Sequence, residues 1–449
     1  MSKSASTESP VAQVQGASAL ALLPLIVFLL LFIGAGVYYS LQGVDYAFYQ
    51  LPAPIAVLPA IVLAILLSKE KVNGAIAQFL DGVGHRDIIA MCMIYLLAGA
   101  FASVAKATGG VDATVNLGLA MLPASLILPG LFIISAFIAT AMGTSMGTIA
   151  AVAPVALGIA QATSIDTALM AGVVMSGAMF GDNLSIISDT TIAATRSQGC
   201  QMRDKFRENV KIALPAAIGA LLIFVFNNEV TQSPVAGGIE WLKVLPYITI
   251  LVLAVAGLNV FVVLMLGIVL AGGIGLVAEP EYQMAGLVKD IYAGFGNMQE
   301  IFLLSMMIGG LAELMRRQGG LNWLTNLISA AINRFSNSHT DEQNGRAAEL
   351  GIAGLVSAAN ACVANNTVAI IVSGSVAREL AERNHVSGRR SASLLDIFSC
   401  VVQGILPYGA QALLLGSSFG LSPLQVVSHS YYCFLLAVAA VVAVFIRHK

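Results

Sequence analysis

Charged residues are scarce in this chain. Asp, Glu, Lys and Arg make up 10% of its 449 residues, and 58% are hydrophobic, whereas soluble domains carry about 25% charged residues. This deficit excludes an ordinary soluble domain. The apolar residues lie in continuous runs and do not alternate with polar ones, which excludes a membrane β-barrel. Because a spanning backbone must satisfy its own hydrogen bonds in lipid, the composition predicts an all-α polytopic membrane protein.

Several chemical motifs are also absent. The sequence holds no Gly-x-x-x-x-Gly-Lys-Ser/Thr phosphate loop, so nothing within it couples to ATP. It has no His-Glu-x-x-His zinc motif and no Gly-x-Ser-x-Gly nucleophile elbow. We therefore expect neither enzyme activity nor a cofactor. The five cysteines lack pairing or metal-ligand spacing and are predicted to be free, mostly buried thiols: Cys92, Cys200, Cys362, Cys400 and Cys433.

What the chain does contain is an internal similarity. The segment GVGHRDIIAMCMIYLLAGAFASVAKATGG (82–110) resembles GFGNMQEIFLLSMMIGGLAELMRRQGG (294–320). Each is followed by a small polar cluster and then by a second polar interruption. In order, these are MGTSMGTIAAVAP and GDNLSIISDTT in the first half, and ANACVANNTVAIIVS and VQGILPYGAQ in the second.

The order of these features predicts two transmembrane repeats. The first repeat covers residues 18–227 and the second 241–446, after a disordered cytoplasmic tail at 1–17. Some apolar runs are too short to cross a bilayer of about 30 Å. We therefore expect about 11 to 13 membrane segments, with broken helices and re-entrant hairpins.

Basic residues predict that the repeats are inverted. The loop at 68–87 has three Lys or Arg residues and its counterpart at 278–297 has one, whereas 161–167 has none and 378–390 has four. By the positive-inside rule, equivalent loops lie on opposite faces. The N-terminus and the basic 196–211 loop are then cytoplasmic, in a bacterial inner membrane. Inverted repeats with interrupted helices are typical of secondary transporters.

Two aspartates stand in apolar sequence at SGAMFGDNLSIISDTT (176–191). A charge at the bilayer centre costs several kcal/mol, so Asp182 and Asp189 need a cation, a proton or an aqueous cavity. The sequence has no Lys or Arg between Lys106 and Arg196. No basic partner is therefore close in sequence.

These acids favour a cation site. Gly181 permits the backbone to leave the helix there, and the exposed carbonyls would join carboxylate and hydroxyl oxygens in a hard-cation site. Burial favours the protonated carboxyl group, so one aspartate can hold a cation or a proton in turn. Asp182 is predicted to lie deeper. Asp189 could instead cap a half-helix or face the cytoplasm, and Asp182 could be a structural carboxylate bonded to backbone.

The other polar clusters could supply further ligands. Gly143, Thr144, Ser145, Gly147 and Thr148 are either a close-packing face or an unwound segment that offers oxygens. Their counterpart, Asn360, Asn365, Asn366 and Thr367, is more polar than packing requires.

The second half offers no acid at the matching break. It has Gln403, Pro407 and Tyr408 there, so the acid lies only in the first half. Asp396, in a short apolar run, is a rival proton carrier.

The polar clusters resemble a known family. GTSMGT followed by AAVAP, and then SGAMFGDNLSIISDTT, is similar to the paired signatures of NhaC-type sodium/proton antiporters, although Ile186 replaces the usual proline after Ser185. The resemblance implies an inverted-repeat carrier in which small polar motifs such as Asn365-Asn366-Thr367 bind Na+. Members differ in substrate, and some exchange organic acids.

We therefore predict a secondary active Na+/H+ antiporter. The expected ion-binding residues are Asp182, Asn183, Ser185, Asp189, Thr144, Ser145, Thr148, Asn365, Asn366 and Thr367, with Na+ held by Asp182, Asn366 and Thr367. The expected partners are membrane lipid, Na+, protons and no nucleic acid.

Other readings stay open. A Na+-coupled carrier of an organic acid such as malate or lactate, or of an amino acid, is the main alternative, and a channel or receptor is a third. The scarcity of Lys and Arg at mid-membrane favours a cation over a dianion. Related carriers are often dimers, so a homodimer is open as well.

Overall fold

The computed structural model describes residues 16–44, 50–121, 123–186, 188–228, 238–336 and 341–446. Most of the predicted tail at 1–17 lies outside these residues. Within them every regular element is a helix and no strand occurs, which confirms the all-α prediction.

Twenty-one α-helices, numbered in chain order, occupy the described residues. They are α1 (Leu23–Leu41), α2 (Ala53–Leu67), α3 (Val72–Val83), α4 (Arg86–Ala107), α5 (Gly110–Met121), α6 (Ile127–Met142), α7 (Ser145–Thr163), α8 (Thr167–Leu184), α9 (Asp189–Gln198), α10 (Met202–Phe226), α11 (Trp241–Val255), α12 (Val260–Ala278), α13 (Met284–Asn297), α14 (Gln299–Arg317), α15 (Gly320–Ser336), α16 (Asp341–Val363), α17 (Asn366–Arg383), α18 (Gly388–Ile405), α19 (Ala410–Phe419), α20 (Pro423–Ser428) and α21 (Tyr431–Ile446).

The helices suit a membrane. Eight spans in the described ranges are long and apolar enough to cross one, or up to nine if the bent pair α13 and α14 is a single span. Three shorter apolar helices accompany them: Ala53–Leu67, Trp241–Leu253 and Tyr431–Ile446. The chain is a multi-pass membrane protein. The count of 11 to 13 segments remains a prediction.

The two halves place their backbone irregularities in the same order. Ten described residues have positive φ. In the first half they are Gly43, Gly109, Gly143, Ser164 and Gly199, and in the second Gly257, Gly319, Ala364, His385 and Gly420. Each of the last three residues in the second set lies 221 positions after its counterpart in the first set. This is the order of features that the sequence similarity predicts; inversion of the two halves remains a prediction.

Helices of each half pack against helices of the other half in matching pairs. Helix α3 packs on α14 and α13 packs on α4, while α9 packs on α17 and α19 on α7. At the α4–α13 crossing, a Cβ at Gly99 would collide with the carbonyl of Gly294, and one at Gly294 with the carbonyl of Gly99. Small residues let two helix backbones approach closely, so this crossing joins the halves tightly.

Two sequence expectations about backbone position are wrong. The region 196–211, predicted as a loop, is the end of α9 and the first turns of α10, which leave only three residues between them. The helix containing Asp182 does not end at Gly181. It continues to Leu184, because Gly181 serves close packing: a Cβ there would collide with the Ala136 carbonyl of α6.

Candidate functional site

The first polar cluster forms a sharp break between α6 and α7. Gly143 is left-handed with φ 69°, and Thr144 is extended with φ −154°. The Thr144 hydroxyl accepts a hydrogen bond from the backbone N–H of Gly147 at 3.5 Å, as an N-cap does. The sequence predicted either a close-packing face or an unwound segment here, and the break is an unwound segment.

The second half repeats this geometry. Ala364 is left-handed with φ 50°, and Asn365 is extended with φ −144°. The Asn365 side chain accepts a hydrogen bond from the Val368 N–H at 3.0 Å. Backbone groups at such helix ends lack intrahelical partners, so both breaks present polar atoms inside the helix bundle.

A second pair of breaks follows. Between α8 and α9, the Ser188 hydroxyl caps α9 by accepting from the Thr191 N–H at 3.2 Å. Between α18 and α19, Leu406 and Gly409 are extended. Asp182 and Gln403 stand at equivalent places, each three residues before the first non-helical residue of its break.

The breaks meet at one cavity of about 140 Å³. It is lined by Asp87, Ala90, Met91, Ile94, Gly143, Thr144, Ser145, Met146, Asp182, Asp189, Thr190, Asn365, Asn366, Thr367, Gln403 and Gln411. Of its three carboxylates, Asp189 is exposed, Asp87 is half-buried and Asp182 is only 4% exposed. The lining therefore leads from water to a desolvated acid.

Asp182 is held by neutral donors. Its Oδ2 accepts hydrogen bonds from the Ser145 hydroxyl at 2.8 Å and from the Ser145 N–H at 3.3 Å. Among the described residues no Lys, Arg or His lies within ion-pair distance of this carboxylate. The acid is therefore buried, hydrogen-bonded and without a cation in ion-pair contact.

A chain of hydrogen bonds connects this acid to the other half. Gln411 Nε2 donates to the Ser145 hydroxyl at 3.1 Å. Gln403 Nε2 donates to Gln411 Oε1 at 2.8 Å and to the Ala364 carbonyl at 3.3 Å. The left-handed residue Ala364 in the second half is thus linked to Asp182 in the first half. The link runs through the side chains of Gln403, Gln411 and Ser145.

Several predicted ligands line this cavity and three do not. Thr144, Ser145, Asp182, Asp189, Asn365, Asn366 and Thr367 line it. Asn183 instead donates to the Tyr432 hydroxyl at 3.0 Å, and Thr148 donates to the Thr144 carbonyl within α7 at 3.0 Å. Ser185 is the first residue after α8, and its carbonyl accepts a hydrogen bond from the Thr191 hydroxyl at 2.8 Å.

Sequence reasoning missed Asp87 and Gln411. Asp87 follows His85 and Arg86 at the start of an apolar run, which is where interfacial charges normally stand. Gln411 lies in the second-half break that the sequence identified, but an uncharged amide gives no signal by itself. No group of three or more His, Cys, Asp or Glu side chains that could hold a metal ion occurs in the described part of the chain.

Behind the cavity lies a buried ion pair. Lys205 Nζ contacts Asp396 Oδ2 at 2.7 Å, and both side chains are 0% exposed. The ammonium also donates to the Thr191 hydroxyl at 2.6 Å and to the Asn183 carbonyl at 3.2 Å. Asn209 Nδ2 adds a hydrogen bond to Asp396 Oδ2 at 2.8 Å.

This pair corrects two expectations. Lys205 is not a loop residue, and the bundle interior does contain cations, since Arg390 is also buried and pairs with Glu349 at 2.7 Å. Buried cations are therefore less scarce than the sequence predicted, but each of these two is paired with a carboxylate. Asp396, the rival proton carrier, carries a counter-charge that Asp182 lacks.

A larger cavity of about 1180 Å³ lies farther along the same helices. Its lining includes Lys106 of α4, Gln161 of α7 and Ser417 of α19. At the equivalent place in the other half, Gln198 Nε2 of α9 donates to the Gly374 carbonyl of α17 at 2.8 Å. The structure is thus open beside α19 and closed beside α9.

Comparison with known proteins gives a family match over half of the chain. Residues 1–228 match the profile described as the Na+/H+ antiporter family.

Full-length relatives are also found. The chain is 21% identical to the malate-2H(+)/Na(+)-lactate antiporter of Bacillus subtilis (strain 168), over 91% of this chain and 92% of that protein. It is 21% identical to the Na(+)/H(+) antiporter NhaC of the same organism, over 82% and 86%. It is 22% identical to the arginine/ornithine antiporter ArcD of Halobacterium salinarum, over 83% and 82%.

Proposed function

Because the chain belongs to the Na+/H+ antiporter family, it is an antiporter and not an enzyme, and we propose that it exchanges Na+ for protons at Asp182. The observation that carries this proposal is the burial of the Asp182 carboxylate at the meeting point of the helix breaks, with hydroxyl and amide donors but no cation beside it. Such an acid binds a proton or a metal cation in turn, because it is not stable as a bare charge.

Neighbouring oxygens complete the proposed ion site. Thr144, Ser145, Asn366 and Thr367 line the same cavity from both halves. Hydroxyl, amide and carboxylate oxygens suit a hard cation such as Na+. The cavity of about 140 Å³ has room for a few waters at about 30 Å³ each, and it is smaller than the roughly 300–1,000 Å³ of pockets for drug-sized ligands.

The halves would alternate access to this site. In inverted-repeat carriers the ion site lies where the repeats meet, and each repeat adopts in turn the arrangement of the other. The exchanged packing of α9 on α17 and of α19 on α7 supports this. The open side beside α19 and the closed side beside α9 would then exchange roles once per cycle.

The test is a proton-flux measurement on reconstituted protein. A Na+ gradient is imposed on proteoliposomes that contain a trapped pH indicator, with a choline gradient as the ionic control. We expect Na+-driven proton flux for the wild type and, for Asp182→Asn, a rate equal to that of protein-free vesicles. The matched control is Glu281→Gln, because Glu281 is an exposed acid that lines neither the 140 Å³ nor the 1180 Å³ cavity; it should keep the wild-type rate. Wild-type flux that ignores Na+, or an active Asp182→Asn, contradicts the proposal.

Exchange of a small organic ion is the second candidate. The 1180 Å³ cavity with Lys106 in its lining is large enough for such a substrate, and two of the relatives are named for organic substrates. Uptake of labelled malate, lactate or arginine driven by a Na+ gradient separates this candidate from pure cation exchange. Because the Lys106 ammonium would attract an anion, Lys106→Glu should reduce uptake of malate or lactate and leave Na+/H+ exchange unchanged.

A further inference from the structure

The ammonium group of Lys205 occupies a cage of oxygens between the two halves. Its neighbours are a carboxylate oxygen of Asp396 on α18, the hydroxyl of Thr191 on α9 and the backbone carbonyl of Asn183 on α8, at 2.6 to 3.2 Å. Both charged side chains are fully buried. Carboxylate, hydroxyl and carbonyl oxygens are the ligands that proteins use for hard metal cations, so the cage has the donor set of a cation site.

The cage has capacity that Lys205 does not use. Asp396 Oδ1 is buried and has no hydrogen-bond partner among the described residues. An ammonium can donate three hydrogen bonds, and Lys205 spends its three on the oxygens named above. An ion at the same place could also reach the second carboxylate oxygen.

The cage and the proposed transport site share one helix break. Asn183, whose carbonyl binds Lys205, directly follows Asp182 in α8. Thr191, whose hydroxyl binds Lys205, follows Thr190 of the 140 Å³ cavity in α9. The two acids therefore lie on either side of the α8–α9 break, one with a permanent cation and one without.

We propose that this cage is a second cation site that Lys205 fills permanently, and that Lys205 thereby restricts the carrier to one exchangeable cation, at Asp182. The restriction to one cation rests on the function proposed above, whereas the cage itself does not. When the lysine side chain is shortened, an alkali cation takes the place of the ammonium beside Asp396.

Equilibrium binding of radioactive Na+ to the purified full-length protein tests the proposal. We expect one site in the wild type, none in Asp182→Asn, and one again in the double variant Asp182→Asn/Lys205→Ala. The matched control is Asp182→Asn/Lys211→Ala, because the Lys211 side chain is 65% exposed and lies outside the cage; it should bind no Na+. A folded Asp182→Asn/Lys205→Ala that binds no Na+ overturns the proposal.

The two proposals fail separately. If Asp182→Asn still binds Na+ like the wild type, the function proposed for Asp182 is wrong, and the cage is then judged by Lys205→Ala alone. That variant should bind one Na+ more than the wild type, and Lys205→Ala/Asp396→Asn should return to the wild-type number. Equal binding by the wild type and Lys205→Ala overturns the second site.

Removal of one partner from a buried ion pair is strongly destabilising, and folding then becomes a readout of the cage. A ligand that binds only the folded protein stabilises it. Lys205→Ala should therefore be monodisperse and melt at a higher temperature in sodium chloride than in choline chloride, with a larger difference than the wild type shows. Aggregation in both salts, with Lys205→Ala/Asp396→Asn monodisperse, shows that Na+ does not replace the ammonium and overturns the proposal.

Discussion

Ser145 is the residue on which the charge of Asp182 depends most directly. Its hydroxyl and its backbone N–H both donate to the same carboxylate oxygen, and the hydroxyl in turn accepts from Gln411. No other described side chain donates a hydrogen bond to this acid. The serine thus stands between the buried acid and the polar chain from the second half.

Ser145→Ala is therefore expected to weaken Na+ exchange. A hydrogen bond to a charged group contributes about 1.5–3 kcal/mol, which corresponds to roughly a tenfold or greater rise in the half-saturating Na+ concentration. Proton flux at a series of Na+ concentrations measures it.

Ser135→Ala is the matched control for this variant. The Ser135 hydroxyl is equally buried but has no hydrogen-bond partner in the described chain, so its removal should leave exchange unchanged. Equal effects of the two substitutions would show that Ser145 has no special role.

Lys205 shows what the sequence could have predicted and did not. Its charge stands among four other basic residues between 196 and 211, and that cluster predicted a loop. The positions Lys205, Glu208, Asn209 and Ile212 are all buried in α10. Their spacing is that of one helix face. Helical periodicity therefore predicts a helix here, whereas the cluster of charges predicts a loop. The partner Asp396 is distant in sequence, and no local pattern could have paired them.

At the scale of helices, α8 is positioned by its contact with α6. A Cβ at Gly181 would meet the Ala136 carbonyl, the Ala139 Cβ and the Thr140 N–H, and the Thr140 hydroxyl donates to the Gly181 carbonyl at 3.2 Å. Asp182 is the next residue along α8. The glycine therefore places the acid by allowing close approach of two helices.

Gly181→Ala is expected to destabilise the protein and to impair exchange. Overpacking typically costs about 1–3 kcal/mol, and any shift of α8 displaces Asp182. The melting temperature and the proton flux of the purified variant measure the two effects.

Gly273→Ala is the control for overpacking. A Cβ at Gly273 would meet nothing within 4 Å in α12, and alanine is favoured over glycine in a helix by about 1 kcal/mol. This variant should be as stable as the wild type or more so. If Gly181→Ala behaves in the same way, α8 does not depend on this close contact.

The breaks themselves were largely predictable. The polar clusters at 142–154 and 359–373 predicted interruptions, and the structure places a left-handed residue in each. The break before Asp182 was placed too early because a glycine in an apolar run has two meanings, helix termination and close packing. Only the position of α6 decides between them, and that contact is made by the fold.

At the scale of the molecule, the predicted inversion of the repeats has a direct test. The loops before α3 and α13 occupy equivalent places, and Glu70 and Glu281 are exposed in them. The single substitutions Glu70→Cys and Glu281→Cys should react with a membrane-impermeant thiol reagent from opposite faces of the membrane. Glu70→Cys should react from the cytoplasmic face and Glu281→Cys from the outer face. Intact cells and inverted vesicles provide the two faces.

The natural cysteines give a low background for this labelling. Cys92, Cys362, Cys400 and Cys433 are buried and none of the five forms a disulfide, as the sequence predicted. Burial, with the nearby Asp204 carboxylate, raises the pKa of the Cys200 thiol, so it reacts slowly near neutral pH. Labelling of 70 and 281 from one face would show parallel repeats, and labelling of 70 from outside would reverse the predicted orientation.

Asp182 and Gln403 hold equivalent places, but only one of them is an acid. If the halves exchange conformations during transport, the half that carries the acid has one conformation when the site faces one side of the membrane. It has the other conformation when the site faces the opposite side. The two orientations then differ in free energy even when no gradient is applied. Such a carrier is asymmetric. The Na+ concentration that half-saturates exchange differs between the two sides of the membrane.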